Sequence, residues 1–328
     1  MMNLRNCAAL AAALIGLAGG TAHAADKVRL LTSWRAEAEH GGFYQAIADG
    51  TYKAYGLDVE LQQGGPQVNG AQVLVAGGTD VAVISGSAIV LNMVAQNTPF
   101  VAIAAFFQKD PQVLLCHKEM GFKTPADLKG HPVLIGASGR LTYWKFLKDK
   151  FGLVDDQVRP YTFNLAPFLA DKNVCQQGYV TSEPFALREQ GTDPQVFLFA
   201  DYGYLPYSSL FVTSRKLVDE KPDVLQRFVD ASIKGWYAYF KGPRDAAHDL
   251  IVKDNPQYTK ANAEFTAQAM QEYGIMDSGD AKTLGIGAMT DARWKSFFEE
   301  EVKLGDFKPD LDWHAAYTLQ FVNKKVGM

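Results

Sequence analysis

Short apolar runs, each broken by a small or polar turn and followed by a helix-length segment, recur along the first two thirds of this sequence and restrict it to an α/β layer architecture. The first such unit, residues 28–65, sets the pattern for the rest. The apolar run 28–31 breaks at a polar loop holding Trp34, which opens onto Gly41-Gly42-Phe43-Tyr44-Gln45-Ala46-Ile47-Ala48. Past Gly56 a second alternating run, 57–61, follows. Strand, loop, helix and strand at this spacing make a βαβ unit. In an open sheet such a unit brings a strand's carboxyl end and a helix N-terminus to one point, a natural place for a ligand. Nothing in the stretch sets a nucleophile beside a base, so the expectation is binding rather than chemistry.

The pattern repeats. A helix is expected over 67–76, a short strand over 80–84, a turn at Ser85-Gly86-Ser87, a helix over 88–95, and buried strands over 100–107 and 113–116. Thr124 as N-cap with Pro125 behind it predicts a short helix at the entrance to a second unit. That unit reruns the first: a strand over 133–135, a loop at 136–139, a helix over 141–151, and strands over 158–163, 174–180 and 196–200, with a helix from Ser182-Glu183-Pro184 through Gln190. After a strand at 209–213, amphipathic helices take over at 222–240, 244–252, 260–270 and 291–304, and the tail 313–322 reads as helical. Two lobes joined by short crossing segments fit this order better than beads on a linker.

Residues 1–24 read as a removed export signal, with Arg5 as basic start, the apolar run 7–18, and Ala22-His23-Ala24 as cleavage site. The run is shorter than the ~20 residues a membrane span needs. Arg5 is the only charged residue in that segment, so the mature chain is one charge more negative than the −4 of the whole. No long run of either sign occurs, and nucleic-acid binding, which needs a concentrated basic patch, is not expected. Cys116 and Cys175 remain in the mature chain. They could form a disulfide in an exported protein; separately buried thiols in two strands are the blander explanation. The dispersed histidines offer no metal-ligand spacing, and no metal or cofactor is expected.

The residues that could face a solute sit at strand ends. Trp34, between Ser33 and Arg35, is placed to stack on a flat ligand; His40 precedes Gly41-Gly42 at the helix start. Arg35, Glu37 and Glu39 read as a solvated charge run. Gln63 and Asn69 follow the second strand, Ser85 and Ser87 the third, and Ser138, Arg140 and Thr142 the first strand of the second unit. Each group puts small or hydroxyl side chains at a helix N-terminus, where backbone N–H groups can hold an anion or a polar ring edge. Turn formation explains each alone; their recurrence at equivalent strand ends points to one shared cleft. Phe107, Asn164, Glu183 and Tyr207 complete the candidate set, and Phe106, Trp144 and Phe163 add rings near strand ends.

The string His40-Gly41-Gly42-Phe43-Tyr44-Gln45-Ala46-x-Ala48-x-Gly50-x-Tyr52-x-x-Tyr55-Gly56-Leu57-Asp58-Val59-Glu60 resembles the signature of solute-binding proteins of ABC importers. It is similar to the branch that includes the thiamine-pyrimidine-precursor, nitrate, sulfonate and taurine binders. Further matches are Gly78-Thr79-Asp80-Val81-Ala82, 123–130, Tyr179-Val180-Thr181-Ser182-Glu183-Pro184 and the 222–236 segment, so the resemblance spans almost the whole mature chain. It implies a two-lobed type II periplasmic-binding-protein fold, each lobe a mixed, mostly parallel sheet flanked by helices, hinged by two crossing segments. Lobe 1 would be 25–112 and 206–328, and lobe 2 would be 113–205. It also implies a periplasmic monomer that closes on a small-molecule solute and presents it to a membrane permease.

Within the branch, His40 matches a histidine of the thiamine-pyrimidine group and favours a flat nitrogen heterocycle; riboflavin-like solutes stay open, and small oxyanions are the nearest rival. The Cys-rich run CCCFC of the pyrimidine-synthase relatives has no counterpart here, which argues against an enzyme of that kind.

Overall fold

The computed structural model describes residues 24–328, so the expected export signal lies, apart from Ala24, outside the described residues. Ten strands form two five-stranded sheets. The first holds β1 (Asp26–Leu31), β2 (Leu57–Gln62), β3 (Val81–Ile84), β4 (Phe100–Phe107) and β10 (Ser208–Ser214); the second holds β5 (Gln112–His117), β6 (Val133–Ile135), β7 (Val158–Pro160), β8 (Cys175–Tyr179) and β9 (Pro194–Leu198). Their orders, β2-β1-β3-β10-β4 and β7-β6-β8-β5-β9, are the same plan twice. In each sheet one strand, β10 or β5, runs against its two neighbours while the remaining contacts are parallel, so each is mixed and mostly parallel as expected.

The chain passes between the sheets twice. Residues 108–111 lead from β4 to β5 and residues 199–207 from β9 to β10. Both antiparallel strands therefore lie beside a crossing.

The Gly41–Ala48 helix packs on the long Pro222–Lys241 helix at backbone distance. A methyl on Gly42 would lie 2.2 Å from the Trp236 ring, one on Gly41 2.4 Å from the Tyr239 ring, and one on Gly235 2.2 Å from the Gly42 carbonyl oxygen. The two glycines after His40 thus serve helix contact, which fixes where the preceding loop emerges. Phe43 is fully buried, its ring 4.9 Å from Phe211 and 5.1 Å from Phe106.

Several boundaries differ from expectation, each for a local reason. The helix at 67–76 is confined to Gly70–Val75, because Asn69 caps it by accepting from the Gln72 N–H. The 158–163 strand stops at Pro160, and Phe163 adopts φ +60°. The helix at 141–151 divides into Ala137–Leu141 and Trp144–Phe151, so the expected loop at 136–139 is largely helical. The tail is not a helix beyond Trp313–Ala316: it lies along the free edge of β4, where Tyr317 bridges to Ala102 and the Thr318 N–H donates to the Ala102 carbonyl at 2.9 Å. Covering an exposed edge satisfies backbone groups that a terminal helix would leave open. No described helix is long and apolar enough to cross a membrane.

Cys116 and Cys175 form a disulfide, replacing the expectation of two separate thiols. Their strands are antiparallel neighbours with Leu115 opposite Gln176, so the next pair outward is the two cysteines, 4.4 Å apart at Cα. The bond joins residues 59 apart in sequence. Replacing both with serine is expected to lower unfolding stability by about 2–4 kcal/mol, read from the urea midpoint and slope, because the cross-link restricts the unfolded chain. An unchanged midpoint would show that the bond is not formed in solution.

Candidate functional site

The loop after β1 is braced on every side. Thr32 Oγ1 donates to the Trp34 carbonyl at 2.6 Å, and the Gly64 N–H donates to the same carbonyl at 3.0 Å. Gly64 has no room for a side chain, since a Cβ would lie 2.4 Å from the Thr32 carbonyl oxygen. Gln63 Oε1 accepts from the Ala36 N–H at 2.9 Å while its Nε2 donates to the Asp254 carbonyl, and Asn255 Nδ2 donates to the Ala36 carbonyl. Gln63 therefore holds the loop. Trp34 projects from this frame half-buried, and its ring meets Phe163 of the second lobe at 4.7 Å between centroids, tilted by 55°. Phe163 is 40% exposed and backed by Tyr161 at 5.1 Å, so two rings from opposite lobes are in contact.

Carboxyl groups also lie where the lobes meet. Glu39 is 3% exposed; its Oε1 accepts from Thr181 Oγ1 at 2.6 Å across the lobes, and its Oε2 has no partner in the protein. The first lobe grips Thr181 from a second side, where Thr266 Oγ1 donates to the Thr181 carbonyl at 2.7 Å and shares a hydrogen bond with the Tyr258 hydroxyl at 2.8 Å. Glu183 accepts from the Tyr179 N–H at 2.7 Å. Burial pushes the Glu39 carboxyl up to about 7 although the Thr181 bond acts the other way. Burial first, then the neighbouring Glu39 and Glu183 charges, raise Glu37, and burial raises Glu183. Asp110, in the first crossing, is lifted by burial to about 7. Among the described residues no lysine or arginine forms an ion pair with any of these four. Glu37 and Glu39 are thus not the solvated charge run that their sequence context suggested.

His40 is buried, its Nε2 3.2 Å from Ser33 Oγ, and burial lowers its imidazole to about 3. It stays neutral at any physiological pH and holds the Trp34 loop to the helix start.

The helix starts expected to cradle an anion are filled by the protein itself. Ser87 Oγ and its N–H pair with the Tyr207 backbone at 3.0–3.2 Å, and the Ser85 carbonyl accepts from the Ser208 hydroxyl. The Gly136 N–H donates to Gln177 Oε1 at 2.6 Å, which also accepts from the Tyr143 hydroxyl at 2.8 Å. Asn69 is spent on its own helix cap. Ser138 and Arg140 are exposed on the short Ala137–Leu141 helix, and Thr142 donates back to the Ser138 carbonyl. Asn164 caps the turn at Ala166, and Phe107 is buried at the end of β4. Tyr207 is buried in the second crossing, where its hydroxyl donates to Asp280.

The structure therefore brings Trp34 and Glu183 to the interlobe surface and assigns Gln63, Asn69, Ser85, Ser87 and Tyr207 internal bonds. Glu39, Thr181, Tyr161 and Gln177 emerge only from the structure. Thr181 lies within the Tyr179–Pro184 motif, so a signal for it was present; for Glu39 the charge run concealed it.

A family model described as "NMT1/THI5 like" matches residues 37–246. The chain is 24% identical over 307 residues to a riboflavin-binding protein, RibY, of Chloroflexus aurantiacus, covering 90% of this chain and 86% of that protein. It is 25% identical over 240 residues to a formylaminopyrimidine-binding protein of Halalkalibacterium halodurans, covering 71% and 72%. In fold it is similar to the alkanesulfonate-binding protein SsuA of Xanthomonas axonopodis pv. citri bound to MOPS, with TM-score 0.62 at 13% identity, over 89% of this chain and 98% of that one.

A carboxyl whose pKa rises on folding costs stability above that pKa. For Glu39 the cost is small below its ordinary 4.5, grows as the pH climbs to about 7, and is full beyond. Glu39→Gln keeps an oxygen for Thr181 and removes the charge. It is expected to raise the urea midpoint of the ligand-free protein more at pH 8 than at pH 5; equal midpoint changes would contradict the burial of a titrating carboxyl.

Proposed function

Because the chain belongs to the NMT1/THI5-like family, we propose that it is the exported solute-binding subunit of an ABC importer. It captures a small aromatic heterocycle, of the pyrimidine type, between its lobes and delivers it as a monomer in the periplasm to a membrane permease. The lobes of this reading are 25–112 with 206–328, and 113–205. The observation that carries it is the contact of Trp34 with Phe163 between two lobes that also bury carboxyls with no cationic partner. A flat ring gains stacking from the pair, about 0.5–1.5 kcal/mol per aromatic contact, and ring N–H groups supply the donors that Glu39 Oε2 lacks. Two relatives with names that specify heterocycles, a flavin and a formylaminopyrimidine, support the same class.

An oxyanion solute meets the opposite conditions. It would enter beside Glu37, Glu39 and Glu183, where like charges in a low-dielectric space repel strongly, and two backbone donors that would suit it, those of Ser87 and Gly136, are already bonded. The likeness to the sulfonate binder concerns the fold. Both curated relatives are named as binding proteins, which favours binding over catalysis.

Calorimetric titration with a formylaminopyrimidine, other aminopyrimidines, riboflavin, taurine and nitrate checks the reading. Heat is expected from at least one heterocycle and from neither oxyanion, with Trp34→Ala weakening the heterocycle about tenfold. Binding of taurine or nitrate alone would overturn it.

A further inference from the structure

One guanidinium lies between the two crossings. Arg293, in the first turn of the Asp291–Lys303 helix, donates through Nη2 to the Gln108 carbonyl in the first crossing and to the Pro206 carbonyl in the second at 3.2 Å. Its Nη1 reaches Gln108 Oε1 at 3.5 Å, and its plane lies 4.4 Å from the Tyr207 ring centroid. The surroundings hold it in place. Thr290 caps the helix by accepting from the Arg293 N–H, its own N–H donates to the Tyr207 hydroxyl at 2.9 Å, and Tyr207 and Thr290 both donate to Asp280. The first crossing has further anchors in the same block, since the Gln108 and Lys109 N–H groups donate to the Ile275 carbonyl and Gln108 Nε2 to the Ala288 carbonyl.

We propose that Arg293 is the positioning residue of the hinge: it ties both crossings to one lobe and confines bending to residues 110–111 and 199–205. The inference rests on the reading of a solute held between the lobes. The two bonded carbonyls, of Gln108 and Pro206, mark the inner limits of the mobile stretches. Beyond them the second crossing contains Gly203 at φ +98°, a conformation open to glycine, while the first is only two residues long before β5. With its ends fixed, the second lobe swings about one axis and returns Thr181 to Glu39 and Phe163 to Trp34. Without the tie, both crossings gain freedom at their first-lobe ends and the lobes meet in several registers. Lysine is a poor replacement, because its compact ammonium lacks the planar guanidinium that bonds both carbonyls through Nη2 while Nη1 reaches Gln108 Oε1 and the face lies over the Tyr207 ring.

The test uses the full chain with spin labels on Lys53→Cys and Glu119→Cys, exposed positions in the first and second lobes, and measures the interlobe distance distribution without ligand. Arg293→Gln and Arg293→Lys are each expected to broaden it relative to the parent. In a formylaminopyrimidine titration they are expected to speed dissociation about tenfold with association little changed, since closure controls release. A lower melting temperature with an unaltered distance distribution, in whichever variant folds, would make Arg293 merely structural and overturn the proposal. If the parent binds no formylaminopyrimidine, the dissociation arm uses whichever heterocycle gives heat; if none does, the solute reading fails, and the ligand-free distances still decide the hinge.

Discussion

A carboxyl buried where two lobes meet cannot leave its charge in water, and Glu39 is in that position. One oxygen receives the Thr181 hydroxyl from the opposite lobe; the other has no partner. Closing the lobes over it costs free energy unless a proton or a donor from a bound molecule compensates, because a hydroxyl alone does not repay the lost hydration of a charge. Glu37 and Glu183 add to the same demand. On the proposed reading this favours solutes that carry N–H groups, and the two rings favour flat ones.

The rest of the architecture keeps that arrangement in register. Gly41, Gly42 and Gly235 let two helices approach at backbone distance, which sets the exit of the Trp34 loop; Gln63 and Asn255 then pin the loop itself. On the other side the Cys116–Cys175 bond joins the strand that enters the second lobe to β8, the strand that leads into Thr181 and Glu183. Between the two lobes, Arg293 and the Ser87–Tyr207 pairing hold the crossings. Packing decisions far from the cleft thus set where two rings and a carboxyl end up.

Much of the fold was legible because its elements are strongly patterned. The apolar run of β4 and the amphipathic Pro222–Lys241 helix have one reading each, and the repeated strand-and-helix order predicts the two sheets. The tail resisted because its pattern suits a helix, while the free edge of β4 offered a better use for its backbone. The cysteine pairing depends on the register of β5 against β8, which no local signal carries. The site was legible in position but less so in role. Trp34 was readable as an exposed ring in a polar loop. Ser87 and Gly136 look like an anion cradle until their partners, Tyr207 and Gln177, arrive from segments distant in sequence. Glu39 looks solvated until the second lobe covers it.

The central claim is that the cleft recognises a donor-bearing ring through buried carboxylates. A crystal structure of the complex with a heterocycle that gives heat tests it most directly. The account predicts the ring stacked on Trp34 or Phe163 in place of their direct contact, with an N–H of the solute on Glu39 or Glu183. A solute lying outside the cleft, or one held by Arg140 with both carboxyls unoccupied, would contradict it.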